Sequence, residues 1–269
     1  MDILTTVFLG ILQGITEFVP ISSSAHLLLA EDFLVLDTTN TLAFYAILHL
    51  ATTAAIIIYF WSDIWVLIQT AIRKLGRLPV NDKDLILLYA LMGGTIPAVI
   101  IGLLFQDIIT GYFHAPISIA IMLFVSSFFF MYAEWRYYNK PPQGVLTVRQ
   151  GFWVGCFQAL ALMPGFSRSG SALAGGMLLG MSRVEAARFS FLLAIPITLG
   201  VGMKMLIELI STDGSVSWVM IGIGSVVSFV TALIVIRFFL GFIRRYTLWP
   251  FIWYKIALSL LVAYVVLYV

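Results

Sequence analysis

The chain has 269 residues, of which 61% are hydrophobic and only 10% are charged, and its formal net charge is +2. Because soluble domains hold roughly 25% charged residues, this chain has too few charges to cover a soluble surface, and an integral membrane protein is indicated. The single cysteine, Cys156, excludes an internal disulfide and a cysteine-based metal cluster.

The apolar blocks, taken in chain order, predict six membrane-spanning helices and two interrupted segments. A spanning helix needs about 20 apolar residues. The six blocks of this kind lie near residues 44–62, 87–106, 114–133, 189–210, 217–243 and 250–269, and the interrupted blocks cover residues 3–29 and 150–182. The expected fold is an all-α integral membrane domain over residues 1–269, with six transmembrane helices and two re-entrant helix-loop-helix segments.

Proline and serine interrupt each of the two shorter blocks midway. The first break reads Pro20-Ile-Ser-Ser-Ser24, and the second reads Pro164-Gly-Phe-Ser-Arg-Ser-Gly170. Since proline ends a helix and serine caps the next one, each block is expected to form a helix, a break and a second helix that returns to the side of entry. Irregular backbone at that depth needs protein or a water-filled cavity around it.

The basic residues are expected to lie on one side of the membrane under this topology. The loops at 30–43, 107–113 and 208–216 hold no lysine or arginine, whereas the opposite side holds Arg73, Lys74, Arg77, Lys83, Arg136, Lys140, Arg149, Arg183, Arg188, Arg237, Arg244 and Arg245. By the positive-inside rule the basic side faces the cytoplasm, so both termini face outward. Lys204 and Lys255 lie inside or near span ends, where long side chains are expected to snorkel.

The two halves of the chain resemble each other in the placement of the breaks. Gln13 and Gln158 precede them, and the spacing from each break to the next span is equal. A half with one re-entrant pair and three spans has odd parity, so residues 1–135 and 150–269 are expected to form an inverted repeat whose breaks meet near the membrane midplane. The alternative is a chance likeness between apolar, glycine-rich segments.

Ionisable side chains deep in a membrane are costly and are therefore candidates for function. These are Glu17, His26, His49 and Arg168, of which His49 is expected to have at most a supporting role. Gln13 and Glu17 are four residues apart on one helix face, where an amide oxygen and a carboxylate would suit a hard cation such as Mg²⁺ or Ca²⁺. Alternatively, Glu17 only forms hydrogen bonds across the repeat interface.

The serines of the first break lie close to a histidine in sequence. Ser22, Ser23 and Ser24 occupy the cap and first turn of the second helix, and His26 follows three residues after Ser23 and four after Ser22. Either hydroxyl could lie on the face of the imidazole, an arrangement used in nucleophilic displacement at acyl or phosphoryl centres. The serines are also ordinary helix caps, and the two roles are compatible.

The second break has the composition of an anion-binding loop. Its glycines, Gly170 among them, let the backbone approach a ligand, the hydroxyls of Ser167 and Ser169 can donate, and a helix N-terminus exposes N–H groups. Arg168 adds a guanidinium that binds phosphate with two parallel hydrogen bonds. Alternatively, Arg168 forms an ion pair with Glu17 across the repeat interface, which is also a plausible resting state of a working site.

These motifs resemble those of the undecaprenyl-diphosphate phosphatase family, also called the bacitracin-resistance phosphatases. The resemblance rests on residues 13–26 and 164–170 and extends over essentially the whole chain. It implies hydrolysis of undecaprenyl diphosphate to undecaprenyl phosphate at the outer side of the bacterial cytoplasmic membrane, with a divalent cation. That step recycles the lipid carrier of the cell wall and confers bacitracin resistance.

The resemblance also implies a role for individual residues. Ser23 would be the nucleophile, His26 its base and later acid, Gln13 and Glu17 the metal-side pair, and Arg168 the clamp on the diphosphate. The remaining substrate-binding residues would be Ser22, Ser24, Ser167, Ser169 and Gly170. Gln13 replaces a glutamate seen in some members, which removes a negative charge. Direct attack by water, with Ser23 only positioning the phosphate, stays open.

Two other functions stay open from the sequence. Inverted repeats with broken helices are also transporter architecture, so the main alternative is a transporter or flippase of a prenyl phosphate lipid. A pure transporter does not need serine and histidine at helical spacing, and an intramembrane serine protease does not need Arg168. The expected partners are a polyprenyl diphosphate and membrane lipids, with no nucleic acid. Chain-length preference, the choice of metal and a homodimer are undecided.

Overall fold

The computed structural model describes residues 2–34, 38–113, 115–140, 142, 144, 146–211 and 217–268, apart from the side chains of 38–42, 106–110 and 211. Over these ranges the regular structure is helical and no strand occurs. The helices are α1 (Ile3–Thr16), α2 (Ser23–Leu34), α3 (Thr38–Tyr59), α4 (Trp61–Leu75), α5 (Asp82–Phe113), α6 (Pro116–Asn139), α7 (Val148–Ala159), α8 (Arg168–Leu178), α9 (Arg183–Ser211), α10 (Trp218–Ile243) and α11 (Trp249–Tyr268), with a 3₁₀ turn at Leu160–Leu162. The predicted all-α fold is confirmed.

Five of these helices are long and apolar enough to cross a membrane. They are Asp82–Phe105, Pro116–Asn139, Arg183–Ile210, Trp218–Ile243 and Trp249–Tyr268. A sixth span is reached within the described residues if Ala43–Tyr59 and Trp61–Leu75, which meet at a bend of 80°, are taken together. The chain is therefore a multi-pass membrane protein with five or six spans, against the six that the sequence predicts.

The bend after Tyr59 begins α4, an amphipathic helix that the sequence prediction missed. Trp61, Trp65 and Ile72 are exposed along its length, and Arg73 and Lys74 close its last turn. Polar residues interrupt its apolar positions at helical spacing, so it never forms a block of the length that marks a span. Aromatic and basic residues in this arrangement are typical of helices that lie along a membrane surface.

Both interrupted blocks form the predicted helix, break and helix. The breaks end at Ser22 and Ser167, whose backbone φ angles of 77° and 69° lie in the left-handed region. That conformation costs about 1–2 kcal/mol for a residue with a side chain. Each serine then caps the helix that follows, because Ser22 Oγ accepts from the N–H of Ala25 at 3.4 Å and Ser167 Oγ accepts from that of Gly170 at 3.2 Å.

The two breaks contact each other directly. The Gly165 N–H donates to Ser22 Oγ at 3.0 Å, and a side chain at Gly170 would lie 2.9 Å from Pro20 Cβ. The structure thus brings together two loops that are separated by more than half of the chain. Their contact is the framework on which the candidate site is built.

Helices of the two halves pack against one another in reciprocal pairs. α1 packs along α10 while α7 packs along α5, and α3 and α6 contact α9 and α11. Small residues let the paired helices approach closely, since a side chain at Gly155 would overlap the backbone of Gly94 and one at Gly10 would lie 2.9 Å from the Gly224 carbonyl. Close contact through glycine is a common way to associate helices in a bilayer.

One buried carboxylate joins three of the long helices at their ends. Glu134 on α6 is 3% exposed and accepts from Arg183 Nε on α9 at 3.1 Å and from the Leu248 N–H, just before α11, at 2.6 Å. Glu134 therefore holds these three helix ends together. The acidic loops on the other side are only partly described, because residues 35–37 and 212–216 lie outside the described ranges.

We expect Glu134→Ala to lower the free energy of unfolding by about 3 kcal/mol, because it leaves the Arg183 guanidinium and a buried N–H unpaired. Thermal unfolding of the purified protein in detergent, followed by circular dichroism, measures the change. The control is Lys204→Ala, which removes an exposed ion pair with Glu208 at 3.9 Å. It should change the free energy of unfolding by no more than about 0.5 kcal/mol. Equal stability of the two variants would contradict the role of Glu134.

Candidate active site

Glu17, in the first break, is the centre of the candidate site. Its side chain is 3% exposed and forms an ion pair through Oε1 with Arg168 Nη2. Its second oxygen, Oε2, accepts from Ser23 Oγ at 2.7 Å and from Gln13 Nε2 at 3.0 Å. A buried carboxylate needs such compensation because its transfer from water is costly. The structure thus brings three other predicted site residues, Arg168, Ser23 and Gln13, around the Glu17 carboxylate.

The first residues of two helices meet at this carboxylate. Ser23 begins α2 and Arg168 begins α8, so both helix N-termini start beside Glu17. Backbone N–H groups in a first turn have no partner within their own helix, and the helix dipole places partial positive charge there. The site is therefore electropositive apart from Glu17 itself, which suits an anion such as a phosphate.

His49 and Gln13 form the other side of the cluster. His49 Nδ1 lies 2.9 Å from Gln13 Nε2 and 3.1 Å from Glu17 Oε2. Gln13 Nε2 donates to Glu17 Oε2, and the tautomer of His49 decides whether its Nδ1 accepts from Gln13 or donates to Glu17. The amide cannot be turned over, because its oxygen would then face the carboxylate. Gln13 Oε1 is left buried without a hydrogen-bond partner among the described residues.

His26 makes different contacts from those that the sequence spacing predicts. Its Nδ1 lies 2.7 Å from the Ser22 carbonyl and its Nε2 lies 2.7 Å from Tyr254 Oη. Because a carbonyl only accepts, the proton of the neutral ring is on Nδ1, and Nε2 accepts from Tyr254. The positive φ of Ser22 turns its hydroxyl toward Gly165, so the imidazole meets the carbonyl of that serine instead. No described hydrogen bond joins His26 to Ser23.

Two cavities adjoin the site on different sides of α2. One, of about 280 Å³, is lined by Ser24, His49 and Arg168 together with apolar residues of α3 and α9. The other is a groove of about 1230 Å³ between α1, α2 and α11, and His26 is one of the few polar residues in its wall. The predicted base and the predicted phosphate clamp thus face separate spaces.

The serines of the second break are engaged within their own loop. Ser167 Oγ caps α8 and lies 3.3 Å from Ser169 Oγ, and the Ser169 carbonyl accepts from Ser190 Oγ at 3.0 Å. Both hydroxyls are buried, and Gly170 packs against the Phe130 ring and Pro20. Of the predicted substrate-binding serines, Ser24 is the one that lines a cavity of the site.

Two neighbouring residues of α11 were missed by the sequence reasoning. Tyr254 donates to His26, and Lys255, whose side chain is completely buried, lies with Nζ 3.4 Å from the Phe166 carbonyl in the second break and 4.1 Å from the Phe130 ring centre. The expectation that Lys255 snorkels to the interface is wrong. It faces α6 and the second break, and a lysine inside an apolar block is the same signal that singled out Arg168.

The oxygen atoms around Glu17 fit a divalent cation that protein and substrate hold together. Within the described ranges no group of three histidine, cysteine, aspartate or glutamate residues could hold a metal ion by itself. Gln13 Oε1, four residues before Glu17, nevertheless has no hydrogen-bond partner among the described residues. A magnesium site commonly uses one carboxylate and completes its shell with substrate phosphate and water.

Known proteins resemble this chain over nearly its whole length. The family model described as bacitracin resistance protein BacA matches residues 6–261. The chain is 38% identical to undecaprenyl-diphosphatase 2 of Agrobacterium fabrum, over 94% of this chain and 91% of that protein. It is 36% identical to an undecaprenyl-diphosphatase of Renibacterium salmoninarum (97% and 95% covered) and 37% identical to one of Micrococcus luteus (96% and 95%).

The chain belongs to the BacA family. The resemblance that the two sequence motifs indicate is thereby confirmed. In this BacA-family protein the motifs that carry the resemblance are the same two breaks whose contact positions Ser23, Glu17 and Arg168. The likeness of the sequence motifs and the geometry of the site therefore point to the same residues.

We expect Gly170→Ala to disturb the contact between the breaks, because its Cβ would overlap the Phe130 ring and lie 2.9 Å from Pro20 Cβ. Overpacking of this kind costs about 1–3 kcal/mol, so the thermal midpoint of the purified protein should fall. Gly93→Ala is the matched control, since its Cβ would meet no atom within 4 Å. Equal midpoints would show that the breaks are less tightly packed than described.

Proposed function

We propose that this protein hydrolyses the terminal phosphate of undecaprenyl diphosphate, releasing phosphate and undecaprenyl phosphate. The observation that carries the proposal is the Ser23–Glu17–Arg168 cluster at the contact of the two family motifs in a multi-pass membrane protein. Relatives that share 36–38% of its residues are named undecaprenyl-diphosphatases. The product would return to cell-wall synthesis as the lipid carrier, and rapid removal of the diphosphate would confer resistance to bacitracin.

The groove beside α2 supports a lipid substrate. Its volume of about 1230 Å³ is enclosed almost entirely by apolar side chains such as Phe8, Ile11, Leu29 and Leu258, and His26 lies in its wall. A prenyl chain gains little by leaving the bilayer for such a groove, because lipid tails are as apolar as leucine. The groove therefore serves to orient the chain, and the diphosphate supplies most of the binding energy.

Binding of the diphosphate requires an exchange of ionic partners. Arg168 is paired with Glu17, and burial of an arginine without an anion is expensive. A diphosphate bound at the first turns of α2 and α8 would take over the guanidinium in the bidentate geometry that phosphate favours, and the N–H groups of these turns would add further donors. The resting ion pair thus keeps Arg168 in place until substrate arrives.

The released carboxylate is placed to accept the proton of Ser23. Ser23 Oγ already donates to Glu17 Oε2 at 2.7 Å, within the reach required of a general base. Attack by Ser23 Oγ on the terminal phosphorus would break its bond to the bridging oxygen, release undecaprenyl phosphate and leave a phosphoserine. Water would then cleave the phosphoserine. Arg168 stabilises the charge of the transferred group, the dominant requirement in phosphoryl transfer.

His26 keeps its predicted role as a base only if its ring leaves Tyr254. In the described arrangement Nε2 accepts from Tyr254 Oη and Nδ1 donates to the Ser22 carbonyl, so neither nitrogen is available to Ser23. Glu17 needs no such movement. We therefore propose Glu17 as the proton acceptor for Ser23, and His26 with Tyr254 as the groups that face the leaving lipid phosphate from the groove.

A divalent cation, Mg²⁺ or Ca²⁺, is proposed as the cofactor. Gln13 Oε1 and the Glu17 carboxylate would hold it together with the diphosphate, where it would neutralise charge on the phosphate oxygens. Gln13 fixes the carboxylate through Nε2 while leaving its own oxygen free of protein partners. This division of roles explains how a glutamine can serve where some members of the family have glutamate.

The inverted repeat and the orientation of the chain are further parts of the proposal. Reciprocal packing of α1 with α10 and α7 with α5 supports a repeat of residues 1–135 and 150–269, with 3–29 and 150–182 re-entrant. The matching left-handed serines at the two breaks support it as well. With the basic side in the cytoplasm of a bacterial inner membrane, the termini and the site face outward. A homodimer stays a prediction.

The direct test measures inorganic phosphate released from undecaprenyl diphosphate by the purified protein in detergent. Arg168→Ala and Glu17→Ala should each reduce the rate by about 100-fold or more and leave the protein folded, while Arg149→Ala, an exposed arginine elsewhere, should retain activity. EDTA should abolish release, and Mg²⁺ or Ca²⁺ should restore it. No release by folded wild-type protein with added cation would overturn the proposed function.

Ser23→Ala distinguishes the nucleophile from a positioning group. If Ser23 attacks, wild-type protein quenched during turnover with substrate labelled in its terminal phosphate should carry the label, and Ser23→Ala should carry none. Unlabelled wild-type protein that turns over normally would favour direct attack by water.

His26→Gln should retain more activity than Glu17→Gln, and the opposite order would return the role of base to His26.

We expect Lys255→Met to raise KM for the lipid substrate about tenfold without lowering the thermal midpoint. The lysine orients the second break through the Phe166 carbonyl, and replacing a buried charge by an apolar side chain of similar shape is often neutral for stability. Lys204→Met, at an exposed lysine, is the control. A variant of Lys255 that loses stability but keeps KM would assign the lysine to packing alone.

A further inference from the structure

A cleft lies between the bend after α3, the start of α9 and the end of α10. Its volume is about 390 Å³, and its polar walls are Asp63, Arg188, Arg237 and Arg244. None of its lining residues belongs to either cavity beside Glu17. The cleft is therefore a separate feature of the molecule, which the proposed hydrolysis does not use.

The charges around this cleft are not balanced. Arg188 forms an ion pair with Asp63, whereas Arg237 and Arg244 are exposed and form no ion pair with any residue that the structure describes. Arg237 lies six residues before the end of α10, about 9 Å inside a spanning helix. A basic side chain at that depth without a carboxylate is costly and marks a candidate for function.

Helical spacing directs the two unpaired arginines into one opening. Arg244, the residue that caps the end of α10, follows Arg237 by seven residues and lies on the same side of the helix, with Gly241 between them. A side chain at Gly241 would meet no atom within 4 Å, so the glycine leaves open space in the wall that it shares with the two arginines. Each guanidinium group offers a planar set of donors that matches a phosphate.

The cleft continues into an apolar groove on the lipid-facing side of α10. Arg237, Gly241 and Arg244 also line this second space, of about 540 Å³, whose other walls include Ile234, Phe238 and Phe242. Arg245 lines this second space as well. Arginines without an ion pair among the described residues at one end, and exposed apolar side chains of α10 at the other, match a molecule with an anionic head and a hydrocarbon tail. Free phosphate or an acidic peptide would contact the arginines but would leave the apolar groove empty.

We propose that this cleft binds the headgroup of an anionic phospholipid, with an acyl chain along Ile234 and Phe238. The phosphate lies between Arg237 and Arg244, and the Asp63–Arg188 pair closes the far wall. Basic pockets between membrane helices on the cytoplasmic side are known to bind such headgroups in membrane proteins. This site is independent of the hydrolytic site and does not rest on its proposed function.

The test measures lipid retained by the purified protein in native mass spectrometry, after exposure to mixed vesicles of phosphatidylglycerol and phosphatidylcholine. Wild type should retain phosphatidylglycerol preferentially, and Arg237→Gln/Arg244→Gln should weaken its retention about tenfold or more. The control, Lys140→Gln/Arg149→Gln, removes two exposed charges elsewhere and should not change retention. Equal loss in the control would overturn the proposal in favour of general surface attraction.

Gly241→Leu distinguishes a binding site of defined shape from general attraction to surface charge. It keeps both arginines and fills the open space in the wall that they share, so it should reduce phosphatidylglycerol retention as strongly as the double arginine variant. Retention at the wild-type level in Gly241→Leu would overturn the proposal. So would displacement of the lipid by added inorganic phosphate, because that outcome would identify a site for a free anion.

Discussion

The structure depends on the burial of one carboxylate, Glu17, inside a membrane protein. A charge there is tolerated only with nearby compensation, and three residues supply it: Arg168 from the other half of the chain, Ser23 from the following helix, and Gln13 from the preceding one. The carboxylate therefore requires both breaks to occupy their positions at the same time.

The two breaks reach these positions because their backbone departs from regular helical structure. Each ends at a serine in the left-handed region, an unfavourable conformation that starts a new helix beside Glu17. The cost is offset by capping hydrogen bonds, by the Gly165 N–H that binds Ser22, and by Lys255, which holds the Phe166 carbonyl from α11. Strain and buried polar groups are concentrated at the point where the chemistry is proposed, a frequent arrangement in functional sites.

The site residues were predictable because they break the rules of an apolar chain. Glu17 and Arg168 were found as charges in apolar blocks, and the breaks were found from proline, glycine and serine. From the sequence, an ion pair between Glu17 and Arg168 is the alternative to a phosphate site, and the structure contains this ion pair. His26 and Lys255 show what helical spacing and hydropathy do not determine. Helical spacing predicts His26 beside a serine hydroxyl, but the left-handed turn at Ser22 directs that hydroxyl toward Gly165. Lys255 is predicted to reach the membrane interface, but it is buried against the second break.

The sequence by itself determined the all-α membrane class, the positions of the two breaks and the family, because hydropathy, helix-breaking residues and local motifs are read along the chain. Only the tertiary structure decided which groups touch: Tyr254 with His26, Lys255 with the second break, His49 with Gln13, and the cleft that Arg237 and Arg244 line. These contacts join helices far apart in sequence. Their geometry depends on how the glycine-lined helix faces pack and on local backbone turns. The hydrophobic periodicity of a single segment specifies neither.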